Sequence, residues 1–136
     1  MQIRSMKLWF GVLSLAAAAG LSAQFISRLQ AQALLAPSFT AAQVTAGQQT
    51  YAQNCASCHG ANLDDGEFGP PVKSPEFRQA WFGRSADVLF EKVEAMPPAR
   101  PGSLGDQRYA EVMAYLLQQN QLAAGDKPLQ IGRAHV

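Results

Sequence analysis

Residues 55–60 read Cys55-Ala56-Ser57-Cys58-His59-Gly60, and they hold both cysteines of the 136-residue chain. Cys-x-x-Cys-His is the pattern of covalent c-type haem attachment. Two thiols add across two vinyl groups on one edge of a porphyrin. Two intervening residues let one turn of backbone present both sulfurs to that edge. The next residue then points toward the iron, where an imidazole nitrogen can coordinate it. The spacing therefore predicts one covalent haem c held by Cys55, Cys58 and His59, with His59 as an iron ligand.

Three other uses of these residues compete. A structural disulfide suits an exported protein but leaves the adjacent histidine unexplained. A thioredoxin-like dithiol needs a βαβ context, and strand-like alternation is nearly absent from this chain. A zinc site needs four ligands, and no second cysteine pair exists.

A haem in an electron carrier usually has a second protein ligand, and a thioether raises the potential by favouring Fe(II). Past the first 33 residues the candidates are Met96, Met113 and His135. Met96 stands where a helical stretch stops at Pro97-Pro98, and there the backbone can turn and aim the thioether inward. Met113 falls on the apolar face of a helix, the usual place of a core methionine. His135 is penultimate, in a stretch without apolar anchoring. Met96 is the expected ligand. A second ligand leaves no open position for substrate, which favours electron transfer over oxygen or peroxide chemistry. A peroxidase would also need a distal acid/base group, and no spare histidine lies near the motif. The chain is therefore read as an electron carrier rather than an enzyme.

Outward from the motif the signals are helical, with Gly/Pro loops between them. A helix from about Ala41 to Asn54 is marked by Thr40 and Gln43, which form a capping box, and by Val44, Gly47 and Tyr51 on one face. A short helix starts at Ser74-Pro75-Glu76 and carries Phe77 and Trp81 inward. Another follows Ser85 to about Ala95, with Val88, Leu89 and Val93 apolar. The clearest spans Asp106 to Gln119, with Tyr109, Val112, Met113 and Leu116 at helical spacing and Asp106 favourable at its start. The fold class is all-α. The chain after Gly125 is expected to be a short, poorly ordered tail.

The front of the chain stands apart. Arg4 and Lys7 precede a 19-residue uncharged run, Leu8–Ile26. A positive start, an apolar stretch and small residues behind it read as an export signal over residues 1–33. Ala31-Gln32-Ala33 fits the cleavage site, with Leu21-Ser22-Ala23 as a second candidate and Met6 as an alternative start. A retained anchor is the competing reading, since the run approaches spanning length. Either way the folded part, residues 34–124, is exported, and a periplasmic location follows. Residues 34–136 hold all eight prolines and nine of the eleven glycines. The chain is too short for a two-domain enzyme. Its net charge is +1, but Arg4, Lys7 and Arg28 belong to the leader while all ten acidic residues follow it. The exported part is thus mildly acidic, which argues against nucleic-acid or anionic-membrane partners. Such a short, loop-rich chain is marginal on apolar burial alone, and a buried cofactor would help to complete its core.

Taken in order, these features resemble the class I, mitochondrial-type monohaem cytochromes c of bacteria over roughly Val44 to Asn120. Gly47 and Tyr51 look like the glycine and aromatic of the N-terminal helix, and Tyr115-Leu116 resembles the aromatic pair of the C-terminal helix. Gly69-Pro70 looks like the loop whose proline carbonyl accepts a hydrogen bond from the proximal histidine, and Met96-Pro97 matches the distal methionine loop. The resemblance implies four to five short helices around one haem, with the haem edge near the attachment site open to redox partners. It also makes Trp81 and Arg78 candidates to contact a haem propionate, against the plainer roles of core indole and solvated guanidinium. Met96-Pro97-Pro98 through Pro101-Gly102-Ser103-Leu104, with Ala114-Tyr115-Leu116-Leu117, resembles more narrowly the small cytochromes linked to periplasmic quinoprotein or alcohol dehydrogenases. This implies a dehydrogenase as electron donor and an oxidase or another cytochrome as acceptor, or else a place as the haem subunit of a membrane-associated dehydrogenase complex. Two departures matter. Only Lys73, Lys92 and Lys127 follow the leader, so docking on a strongly acidic partner is not supported. No second Cys-x-x-Cys-His exists, so a dihaem protein is excluded.

Overall fold

A computed structural model describes residues 38–131. The proposed leader, residues 1–33, the alternative start Met6 and the candidate ligand His135 lie outside the described residues. Among the described residues there are five helices and no strand: α1 (Ala41–Asn54), α2 (Ala56–His59), α3 (Pro75–Trp81), α4 (Ala86–Glu94) and α5 (Asp106–Gln119). The fold is all-α. None of these helices is long and apolar enough to cross a membrane.

Helix α1 starts on a reciprocal cap. The Gln43 amide N–H donates to Thr40 Oγ1, and the Thr40 N–H donates to Gln43 Oε1, both at 3.2 Å. A cap of this kind stabilises a helix by about 1 kcal/mol. The buried face of α1 is Val44, Gly47 and Tyr51, and it crosses α5 in the principal helix pairing of the fold. The crossing is close enough that a Cβ on Gly47 would fall on the Glu111 carbonyl. Here glycine is needed for room, not for an unusual backbone angle. One turn further on, the rings of Tyr51 and Tyr115 meet at 5.6 Å with a 56° tilt. The Tyr51 hydroxyl then donates to the Gly60 carbonyl at 2.9 Å, tying α1 to the end of α2.

Helix α3 starts as its sequence implies, with Pro75 in the first turn and the Phe77 N–H donating to Ser74 Oγ at 3.0 Å. Helix α4 buries Leu89 and Phe90. Val88, counted among its apolar residues, is 41% exposed. Consecutive residues on a helix point about 100° apart, so only some of this run can face inward. Phe90 takes an inward place, edge-on to Tyr109 at 6.4 Å and 86°. Helix α5 is buried nearly all round between Tyr109 and Leu117, because α1 and α4 both pack against it.

The segment after Gly125 departs from the expectation of a poorly ordered tail. Leu129 is buried, Gln43 Nε2 donates to its carbonyl at 2.9 Å, and its N–H donates to Gln43 Oε1 at 2.8 Å. Upstream, the Gly125 N–H donates to the Phe39 carbonyl at 2.8 Å, and Ser38 Oγ donates to the Lys127 carbonyl. One glutamine side chain thus pairs with the backbone of residue 129 as a strand would, while its oxygen also serves the α1 cap.

Candidate cofactor site

Helices α1 to α5, the 70–72 segment and the turn after α4 line a cavity of about 430 Å³. Cys55, Cys58 and His59 contribute to its wall from the α2 segment, Trp81 from α3 and Met96 from the turn after α4. Val112 and Leu116 of α5 supply part of its apolar lining. The motif lies on a single helical turn: the N–H groups of Cys58 and His59 both donate to the Cys55 carbonyl, at 3.1 and 2.9 Å. That turn is what sets both sulfurs and the imidazole beside one cavity. It was not expected as a separate helix, since the sequence signals for α1 end at Asn54.

The imidazole is held from its outer side. His59 Nδ1 lies 2.8 Å from the Pro70 carbonyl oxygen. A carbonyl can only accept, so Nδ1 carries a proton, and in the neutral ring Nε2 is left with its lone pair. That tautomer is the one a metal can use. Gly69 makes the approach possible, because a Cβ there would stand 2.6 Å from His59 Nδ1. The loop is anchored beside it by the Gly69 N–H, which donates to the Cys58 carbonyl at 2.9 Å.

Met96 lies just past the end of α4. Its N–H donates to the Val93 carbonyl at 3.0 Å, and its own carbonyl accepts from the Tyr109 hydroxyl at 2.7 Å. The other candidate thioether, Met113, is wholly buried in the core and does not reach the cavity. The two proline rings that stop α4 join the same wall.

Neither cysteine is in a disulfide. Burial, reinforced by the neighbouring Cys58, pushes the Cys55 thiol up to about 11. A reactive dithiol of the thioredoxin kind needs a lowered value, so this environment speaks against that use. Among the described residues no three His, Cys, Asp or Glu side chains form a metal-binding group.

Charge near the site is uneven. The loop from Gly60 to Val72 carries Asp64, Asp65 and Glu67 and no basic residue. All three are exposed, as is Phe68 at 81%. Asp65 closes this loop by accepting from the Asn62 backbone N–H at 2.9 Å and the Asn62 amide at 2.7 Å, which holds its carboxyl below the usual range. Lys92 and Glu76 add one charge of each sign to the cavity wall, and neither was singled out from the sequence. Trp81 borders the cavity, whereas Arg78 does not; the guanidinium beside the indole is that of Arg84, 5.8 Å from the ring centre. A spacing of three on a helix could have suggested Arg84, but it lies beyond the end of α3.

Residues 42–116, more than half of the chain, match the family model described as cytochrome c oxidase, cbb3-type, subunit III. The match runs from the first turn of α1 to Leu116 on α5 and includes the cysteine–histidine turn, Pro70, Trp81 and Met96. No curated protein and no solved structure gave a match to the chain.

Proposed function

The chain belongs to the family described as cytochrome c oxidase, cbb3-type, subunit III, a family of cytochrome c domains, and from that premise we propose that it is a periplasmic one-electron carrier with His59 and Met96 as axial ligands. Membership in a cytochrome c family brings covalent haem c and electron transfer with redox protein partners. The finer assignment rests on one observation above all: His59, with its Nδ1 held by the Pro70 carbonyl, Met96 and both cysteines line a single apolar cavity. These donors fit an iron porphyrin. Cys55 and Cys58 would hold its edge, and His59 and Met96 would complete the iron. The bound haem supplies an iron that takes up and gives back one electron.

The protein's own part is to hold these ligands still. Pro70 fixes the His59 tautomer and ring plane, and such a bond raises the basicity of the ligand. Tyr109 fixes the turn that bears Met96. The apolar wall would keep water from a bound iron and so favour its reduced state. Trp81, in the cavity wall, would be the residue to contact a haem propionate in this reading. On the exposed side, the Asp64, Asp65 and Glu67 loop with Phe68 beside Cys58 suits partners with a basic rim around an apolar centre. A dehydrogenase as donor and an oxidase or another cytochrome as acceptor are the partners in this reading.

A second reading makes the chain the cytochrome subunit of a membrane-associated dehydrogenase complex. It is favoured by the 19-residue uncharged run Leu8–Ile26. N-terminal sequencing of exported protein separates the two: a start at Leu34 supports the soluble carrier, and a retained leader supports the subunit.

The test of the main reading is export of the full chain in cells that mature c-type cytochromes. Mass spectrometry should show one haem increment on the chain, and a redox titration should show one reversible one-electron wave. A chain without the increment would overturn the assignment of Cys55 and Cys58, and fast peroxide turnover would overturn the assignment of two axial ligands.

A further inference from the structure

We propose that Asn120 is a positioning residue for the proximal histidine: its amide holds the 70–72 segment so that the Pro70 carbonyl stays on His59 Nδ1. The inference rests on the reading of His59 as an iron ligand.

Asn120 is fully buried and, tyrosines aside, is the one buried polar side chain among the described residues. Its Nδ2 donates to the Val72 carbonyl at 2.8 Å, across 48 positions of sequence, and to the Leu116 carbonyl at 2.9 Å. Its Oδ1 meets no donor. Turning the amide over would set that oxygen against two carbonyl oxygens, so the neighbours fix its orientation. Helix α5 does not need this side chain as a cap. The N–H groups of Asn120, Gln121 and Leu122 already serve the carbonyls of Leu116, Gln118 and Leu117. What the amide adds is the grip on Val72.

That grip bears on His59 through a stiff piece of chain. The Val72 N–H donates to the Leu63 carbonyl at 2.7 Å, so the backbone of Val72 is held on both sides. Pro70 and Pro71 come next toward the histidine. Each ring locks its φ, and a residue before proline is confined to extended backbone. On the other flank the Gly69 N–H is bonded to Cys58. The Pro70 carbonyl therefore lies between two anchors, and Asn120 supplies half of the downstream one. Loosening it lets the carbonyl leave Nδ1 part of the time. A less strongly bonded imidazole is a weaker base, which disfavours Fe(III) and raises the potential.

The test is Asn120→Leu, close to isosteric and without a donor, in the mature haem-bearing protein. NMR of the reduced protein should show His59 Nδ1–H exchanging about tenfold faster than in the unchanged protein, with a higher potential. Leu129→Ala, packed on the opposite end of α1 beside Gln43, serves as the control that costs stability and moves neither readout. Wild-type exchange and potential in Asn120→Leu would overturn the proposal, as would an equal response in Leu129→Ala. Should Asn120→Leu not fold, exchange in the unchanged protein under mild urea decides. The Asn120 amide and His59 Nδ1–H should then share one opening equilibrium to within about threefold, and separate openings would sink the proposal. Unchanged protein lacking haem is a different failure, that of the ligand assignment itself.

Discussion

The Tyr109 hydroxyl donates to the Met96 carbonyl at 2.7 Å, and the hydroxyl oxygen in turn accepts from the Leu104 N–H at 3.4 Å. The first buried aromatic of α5 is therefore also the clamp on the turn that presents the thioether. Tyr109→Phe keeps the edge contact with Phe90 and removes both bonds. The expected cost is about 1–2 kcal/mol, concentrated in the Met96 turn. With Met96 as the proposed iron ligand, the charge-transfer band of the thioether–iron bond should fade at lower urea than the helical signal in a urea titration. In the unchanged protein the two should fade together.

The two methionines separate ligation from packing. Met96 faces the cavity, and Met96→Ala should abolish the charge-transfer band and lower the potential, because a thioether favours Fe(II). Met113 is wholly buried away from the cavity. Met113→Ala should keep the band and cost about 2–5 kcal/mol in urea unfolding, as large-to-small changes in a core do. Loss of the band in Met113→Ala with retention in Met96→Ala would exchange the two roles.

The features legible from sequence are those encoded by neighbouring residues. Helix α1 begins and ends where Thr40, Gln43 and the Val44, Gly47, Tyr51 face imply, and α5 where its stripe does. Cys55, Cys58 and His59 share a cavity because three residues of one turn cannot be far apart. Features set by distant residues were not legible. Leu129 is tied in by Gln43, 86 positions earlier, whose side-chain amide bonds its backbone. The inward turn of Phe90, with Val88 left outside, depends on how α4 docks against Tyr109, and periodicity over nine residues leaves that angle open. Arg84 rather than Arg78 stands by Trp81 because the chain leaves α3 at Trp81, and the next residues take the loop's course. Asn120 gave no signal, since its partner at Val72 is a backbone carbonyl and any residue would supply one.

The α1–α5 crossing makes a sharp demand on one position. A Cβ at Gly47 would overlap the Glu111 backbone, which cannot swing aside as a flexible side chain would. Gly47→Ala must push the helices apart and unseat the Tyr51–Tyr115 ring contact. Helix propensity favours alanine by about 1 kcal/mol, and the overpacking cost of about 1–3 kcal/mol exceeds it. The urea midpoint should fall at an unchanged slope. A midpoint at or above that of the unchanged protein would show that the crossing has slack.

Burial raises the phenol of Tyr51 above its ordinary value, and burial does the same for Tyr115. For an acid held neutral in the folded state the sign is fixed. Below the unfolded-state value near 10, both states keep the proton and stability is at its full level. Above it the unfolded chain releases a proton that the folded chain retains, so stability falls as pH rises. Each tyrosine contributes a slope of up to about 1.4 kcal/mol per pH unit in that window. Tyr51→Phe should lower stability at neutral pH by about 1 kcal/mol, through loss of the bond to the Gly60 carbonyl. It should also flatten the decline above pH 10, because one of the two groups no longer titrates. Urea midpoints measured from pH 8 to about pH 11 test this. Parallel curves for the variant and the unchanged protein would mean that the Tyr51 proton is not what alkali removes on unfolding.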